Sequence, residues 1–184
     1  LVDKSLAELE KLELLPFKKA MDAGVDLLMT AHIQYPQIEK DQVVSKETGE
    51  KIYVPATLSD DILTGLVRKK YGYKGVIVSD AMGMDAIAKN FGEVEAVKMA
   101  IKAGVDLVLM PTTLRSKTDL SKIDTIVDEV VRAVQTGDIS EERLNESVRR
   151  ILTLKEKRGV LNFDPSARTA EKAEEAVGST LNRD

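Results

Sequence analysis

The residues best placed to do chemistry are Asp80 and His32. Asp80 ends the run Lys74-Gly75-Val76-Ile77-Val78-Ser79-Asp80, in which Gly75 opens and three β-branched residues form a short apolar segment. That pattern predicts a buried strand closed by a carboxylate. Parallel α/β folds carry their chemistry at the C-terminal ends of strands. A carboxylate there can act as nucleophile, general base or metal ligand. Its structural alternative is capping the turn Asp80 to Met84. His32, the sole histidine, closes a second apolar run, Leu27-Leu28-Met29-Thr30-Ala31-His32, and would face the same mouth. Its two readings are a substrate contact on the site wall and a hydrogen-bonded structural residue. Met82 and Met84, flanking Gly83, either line an apolar pocket wall or join the core. With one histidine and no cysteine, neither a histidine-based metal site nor a thiolate site can be built from this sequence.

These residues need elements to hold them. The pentapeptide Ala-Gly-Val-Asp-Leu occurs twice, at 23–27 and 103–107, each time where a helical pattern ends on Gly and an apolar run begins. Helix–strand units are expected as helix Leu6 to Ala23 (kinked at Pro16) with strand Val25 to Thr30, helix Ser59 to Tyr71 with strand Gly75 to Ser79, and helix Gly92 to Ala103 with strand Val105 to Met110. Ser59 is the expected N-cap of the second helix, with Asp60 and Asp61 in its first turn. Helices Lys122 to Thr136 and Glu141 to Arg158 follow, the latter capped by Ser140. Continuous apolar strands favour a parallel sheet buried on both faces. Asp26 and Asp106 begin strands, at the end where such folds place stability rather than chemistry. Ile33 to Leu58 is a long connection, with Thr48-Gly49-Glu50 as the tip of a small hairpin and a wall or lid as its role.

Composition limits the partners. Of 184 residues, 43% are hydrophobic and 32% charged, so the chain can form a core. A net charge of -4 argues against a nucleic-acid partner. No apolar run approaches the ~20 residues of a membrane span. No glycine cluster makes a dinucleotide or phosphate loop. Three strands are too few to close a barrel and leave open edges. The chain is therefore expected to be part of a longer protein, with apolar surface to be covered by a missing barrel half or by self-association. The compartment is left open between cytoplasmic and secreted.

Val76-Ile77-Val78-Ser79-Asp80-Ala81-Met82-Gly83-Met84-Asp85-Ala86-Ile87 resembles the nucleophile motif of family 3 glycoside hydrolases, in the branch of bacterial β-N-acetylhexosaminidases. Met29-Thr30-Ala31-His32-Ile33 with Pro36, Pro55-Ala56-Thr57-Leu58-Ser59 and Ala103-Gly104-Val105-Asp106-Leu107-Val108-Leu109-Met110 resemble the neighbouring stretches of that barrel, in the same order. The resemblance implies an α/β fold, a partial (β/α)8 TIM barrel with strands six to eight in residues 1–160 and a linker at 161–184. A solvent-exposed helix is expected at Thr169 to Glu175. Asp80 would be the catalytic nucleophile in retaining hydrolysis of terminal β-linked N-acetylglucosamine, with His32 and Met82 contacting substrate and no cofactor or metal. The family's His–Asp acid/base loop and its Lys-His-Phe-Pro-Gly-His-Gly stretch do not occur in this sequence, so the chain alone is expected to be inactive. A β-glucosidase-like member of the family is the nearer alternative, although those typically carry Trp beside the nucleophile, where Ala81 stands here. A non-catalytic barrel module and an unrelated barrel enzyme, such as an aldolase, are the more distant ones.

Overall fold

The computed structural model describes residues 1–162 and residue 177. The expected helix at Thr169 to Glu175 and nearly all of the expected linker lie outside the described residues. Where a continuous helix Leu6 to Ala23 was expected, there are two, α1 (Leu6–Lys11) and α2 (Leu15–Asp22). Ser5 and Glu8 close a capping box on α1, and Pro16 sits in the first turn of α2, where its missing N–H costs nothing. Proline therefore starts a helix here instead of kinking one.

β1 (Leu27–Met29) pairs in parallel with β4 (Val76–Val78), Leu27 opposite Val76 and Met29 opposite Val78. The third apolar run joins the other side of β4 through a parallel bridge, Val78 opposite Leu107. Leu107 N–H donates to Ile77 O at 3.0 Å and Ser79 N–H to Leu107 O at 2.9 Å. Three chain segments thus lie side by side in sequence order, with a helix before each, as the repeated pentapeptide implies. Gly24 and Gly104 both take positive φ, +80° and +125°, to turn each helix into its strand.

The long connection contains an antiparallel hairpin, β2 (Gln42–Val44) with β3 (Lys51–Tyr53), and the expected tip falls in its loop. A 3-10 turn, Ala56–Leu58, follows. The next helix, Asp61–Lys70, is π-type, with Tyr71 N–H donating to Leu66 O across five residues. Asp60 directly precedes it, and the Ser59 hydroxyl, expected as the cap, accepts from Ile62 N–H in its first turn. Beyond Asp80, where only a turn was expected, α3 (Asp85–Phe91) forms. Ile87 and Phe91, four residues apart, bury one face of it. Gly92 at φ +78° separates α3 from α4 (Glu93–Ala103). Helices α5 (Leu120–Gln135) and α6 (Glu141–Lys157) complete the described chain, with Ser140 capping α6 through Arg143 N–H.

The main core joins Ile77, Met82, Ile87, Phe91, Leu63 and Ala100, drawn from β4, the Asp80 turn and the helices around it. A second cluster, including Val97, Ile101, Ile126 and Ile139, holds α5 to α4. The expectation of strands buried on both faces holds for Val76 and Ile77 but not for the flanking segments. Leu27, Met29, Leu107 and Leu109 are between 38 and 52% exposed. Alternation and register put these four on one face of the sheet, opposite Ile77 and the helices. Continuous apolar sequence therefore reflects two apolar faces, of which this chain covers one.

The N-terminal ends of the strands are crossed by α6. The Asp106 carboxylate, fully excluded from solvent, pairs with Arg68, Arg143 and Arg150, and accepts from Ser147 Oγ at 2.7 Å and Ile77 N–H at 2.9 Å. Asp26, the equivalent residue of the first pentapeptide, pairs with Lys157 and Arg158 near the other end of α6. Burial lowers the Arg68 pKa from its ordinary value; Asp106 opposes this, and the nearby Arg150 and Arg143 add to it. Both aspartates thus serve stability, as their place in the strands implies.

Candidate active site

Asp80 lies two residues past β4, at the C-terminal end of the strands, and is half-buried. Its Oδ1 accepts from the N–H of Ala81 at 2.7 Å, while Oδ2 has no hydrogen-bond partner among the described residues. One oxygen is held and the other is open, a suitable state for a carboxylate that attacks, accepts a proton or binds a cation. No group of three or more His, Asp or Glu side chains that could hold a metal ion occurs among the described residues.

The turn bearing Asp80 is stitched to the third strand segment. Ser79 Oγ accepts from Leu109 N–H at 2.9 Å, Met82 N–H donates to Leu109 O at 3.0 Å, and Gly83 N–H donates to Met110 O at 3.0 Å. Met110 takes φ +44°, an uncommon conformation for a side-chain-bearing residue, and this turns its carbonyl to Gly83. A Cβ on Gly83 would lie 2.8 Å from Thr113 Oγ1, so only glycine allows the two chains to approach this closely.

On the opposite side stands His32. Its Nε2 lies 3.0 Å from the Ala81 carbonyl and its Nδ1 lies 3.0 Å from Thr57 Oγ1. Thr57 is completely buried, and its hydroxyl is 2.9 Å from that of Thr30. His32 and Asp80 do share one end of the sheet, as their positions in the sequence indicate. Both imidazole nitrogens are nevertheless occupied by protein partners, so the ring has no in-plane polar atom left to offer a substrate.

Met82 corrects the expectation of a substrate contact. Its side chain is 0% exposed and packed in the main core beneath the turn. Met84, 47% exposed, is the outward methionine. The chain turns sharply here, Met84 N–H donating to Ala81 O at 3.2 Å, so Met82 points inward, and burying an apolar thioether there anchors the loop. Sequence reasoning missed Thr30, Thr57 and the backbone of Leu109 and Met110. Their partners lie 25 to 30 residues away along the chain, and no local pattern marks such contacts.

The hairpin is fastened in place: Ser45 Oγ donates to Asn90 Oδ1 at 2.6 Å and Lys46 N–H to Asn90 O at 2.9 Å. The buried Glu39 accepts from Asp41 N–H and from the Ser59 hydroxyl, tying the same connection to the π-type helix. Cavities of about 580 and 610 Å³ lie at the other end of the strands, both lined by Lys74 and Arg150 and the first also by Asp26, well away from this turn. No helix among the described residues is long and apolar enough to cross a membrane.

Comparison with known proteins gives this geometry a context. The β-hexosaminidase A of Pseudoalteromonas piscicida is 37% identical over 157 residues, 85% of this chain and 26% of that protein. A β-N-acetylglucosaminidase/β-glucosidase of Cellulomonas fimi is 28% identical over 78% of this chain and 24% of its own length. The solved structure of a family 3 β-N-acetylglucosaminidase from Paenibacillus sp. str. FPU-7 superposes with a TM-score of 0.77 at 36% identity, covering 92% of this chain and 29% of that one. The chain thus spans about a quarter of the length of these relatives. Its helix-rich α/β fold is that of the TIM-barrel-like domain these proteins share. With residues 1–154 matched by the model of the glycosyl hydrolase family 3 N-terminal domain, and with relatives of this similarity, the chain belongs to glycosyl hydrolase family 3.

Proposed function

We propose that this chain is the nucleophile-bearing part of the catalytic barrel of a retaining β-N-acetylglucosaminidase, with Asp80 as the nucleophile. The observation that carries the proposal is the placement of Asp80: at the C-terminal end of a central parallel strand, with Oδ1 held by Ala81 N–H and Oδ2 open. In this reading the three segments are strands six to eight of a (β/α)8 barrel. Leu27, Met29, Leu107 and Leu109 face its interior, which the other strands complete.

Oδ2 attacks the anomeric carbon of the terminal sugar, the glycosidic bond breaks, and the sugar is held as an ester on Asp80. Water then cleaves the ester with net retention. The leaving oxygen requires a proton, and the same group must later deprotonate the water. His32 does not supply it, since Nε2 and Nδ1 are both engaged. The resemblance implies that a His–Asp loop supplies it; that loop does not occur in this sequence, so the chain by itself is expected to have no useful hydrolase activity. The names of relatives from P. piscicida and Paenibacillus support an N-acetylglucosaminide substrate. The dual name of the C. fimi relative supports a second reading, in which β-glucosides are also cleaved.

A slowly turned-over fluorinated N-acetylglucosaminyl donor, incubated with the full-length polypeptide, tests the assignment. Mass spectrometry of the digest is expected to find one sugar on the peptide containing Asp80, and none in Asp80→Asn. An active enzyme labelled on a different carboxylate would overturn the proposal, and equal labelling by the matching glucosyl donor would establish the broader specificity.

A further inference from the structure

The geometry points to His32 as a positioning residue for Asp80, acting through the peptide bond between Ala81 and Met82 and not through the substrate or a transferred proton. That peptide is held at both polar atoms. Its carbonyl oxygen takes His32 Nε2 at 3.0 Å, and its N–H donates to Leu109 O at 3.0 Å. A planar peptide gripped at both ends, from the extension of β1 on one side and the third strand segment on the other, has little freedom to rotate. The preceding peptide contributes the Ala81 N–H that holds Asp80 Oδ1. The orientation of the carboxylate is therefore set by an imidazole three residues beyond β1, which shares the Ala81 carbonyl with Met84 N–H at 3.2 Å.

The direction of each hydrogen bond follows from chemistry. A carbonyl oxygen only accepts, so Nε2 carries the proton. In the neutral ring Nδ1 is then an acceptor, and the Thr57 hydroxyl donates to it. The Thr57 oxygen in turn accepts from the Thr30 hydroxyl, 2.9 Å away. The chain runs Thr30 to Thr57 to His32 to Ala81 O, with each donor polarising the next. Thr57 is 0% exposed and Thr30 9%, so water does not compete for the bond between them. The device uses the most secure part of the fold, a residue beside β1 and a buried 3-10 turn, to fix the loop that must move least.

The sole histidine makes the test direct. In the 184-residue chain, long-range ¹H–¹⁵N spectra report one imidazole. The expected signature is the Nε2–H tautomer, with Nδ1 pyridine-like. The Nδ1–H tautomer, or solvent-like averaging of the two, would overturn the proposal. His32→Leu is expected to speed hydrogen exchange of the Ala81 and Met82 amides by about tenfold or more relative to core amides of α4, which are unchanged. His32→Gln, whose amide nitrogen reaches the Nε2 position, is expected to restore protection, whereas His32→Asn, one methylene shorter, is not. Equal protection in all variants refutes the positioning role. The kinetic arm rests on the function proposed above. In the full-length enzyme, His32→Leu should lower kcat by about 10²-fold with KM changed less than about threefold, and His32→Gln should recover most of the loss. A rise in KM at constant kcat would instead make His32 a substrate contact. If Asp80 proves not to be the nucleophile, the tautomer and exchange results still decide whether His32 holds this turn.

Discussion

Replacing Asp106 by Asn is the sharpest test of how this fold is held together. The substitution keeps shape and removes charge. Asp106 Oδ2 accepts from Arg68 and from Ile77 N–H, and Oδ1 accepts from Ser147, Arg150 and Arg143. An amide nitrogen in place of either oxygen would face at least two donors with nothing to give them. Each donor left unsatisfied in a buried setting costs about 1–3 kcal/mol. The guanidinium partners are themselves only 12, 14 and 25% exposed, so they cannot rehydrate freely. Two orphaned donors give about 2–6 kcal/mol, which agrees with the ~3–5 kcal/mol lost when one member of a buried ion pair is removed. A domain of ordinary stability, about 5–15 kcal/mol, would lose a large share of it. The assay is urea unfolding followed by circular dichroism, with Asp26→Asn as the matched control. Asp26 occupies the same place in an identical pentapeptide, but its partners Lys157 and Arg158 are about 60% exposed. Its midpoint shift is expected to be less than about a third of that for Asp106→Asn. If the two variants unfold at the same urea concentration, the buried carboxylate is not the anchor of α6 and the reasoning fails.

Two other perturbations address the strand starts and the site. Tyr73, buried with its hydroxyl near the Val25 and Val76 carbonyls, has its pKa pushed up to about 12, chiefly by burial. An unfolded tyrosine ionises near pH 10. The stability linked to the neutral phenol is therefore present below pH 10 and is lost as pH rises from about 10 to 12. Tyr73→Phe should flatten that part of the urea-midpoint profile without removing it, because Tyr71 is also shifted upward by burial and by Glu10; an unaltered profile would refute the assignment. Gly83→Ala places a methyl 2.8 Å from Thr113 Oγ1 and 3.3 Å from its backbone nitrogen. It should cost about 1–3 kcal/mol of stability and slow sugar transfer to Asp80 in the full-length enzyme by about 10²-fold; a variant with wild-type kinetics would show that the turn tolerates displacement.

The sequence by itself determined a good deal about this protein. The repeated Ala-Gly-Val-Asp-Leu marked where helices turn into strands, because glycine at positive φ and an abrupt apolar run are local signals. Ser59 and Ser140 marked helix starts, and the Val76 to Asp80 run placed a carboxylate at a strand end. The motif around Asp80 also carried the family. Its reading was weaker where structure depends on neighbours distant in sequence. The short helix Asp85–Phe91 escaped because one Ile87–Phe91 pair is too little periodicity to read. Met82 stayed open between pocket wall and core, with a substrate contact implied only by the resemblance, because an apolar residue beside a site residue can face either way until the packing beneath it is known. Only the tertiary structure decided that His32 is tied to Thr57 and Ala81, since a lone imidazole carries no record of its partners. The two identical pentapeptides make the same point. Each dictates a helix stop and an aspartate opening an apolar segment laid beside β4, yet Asp106 is enclosed by three arginines and Asp26 lies against two exposed cations. Local conformation is written in the residues themselves, while burial and charge pairing depend on what the rest of the chain brings alongside.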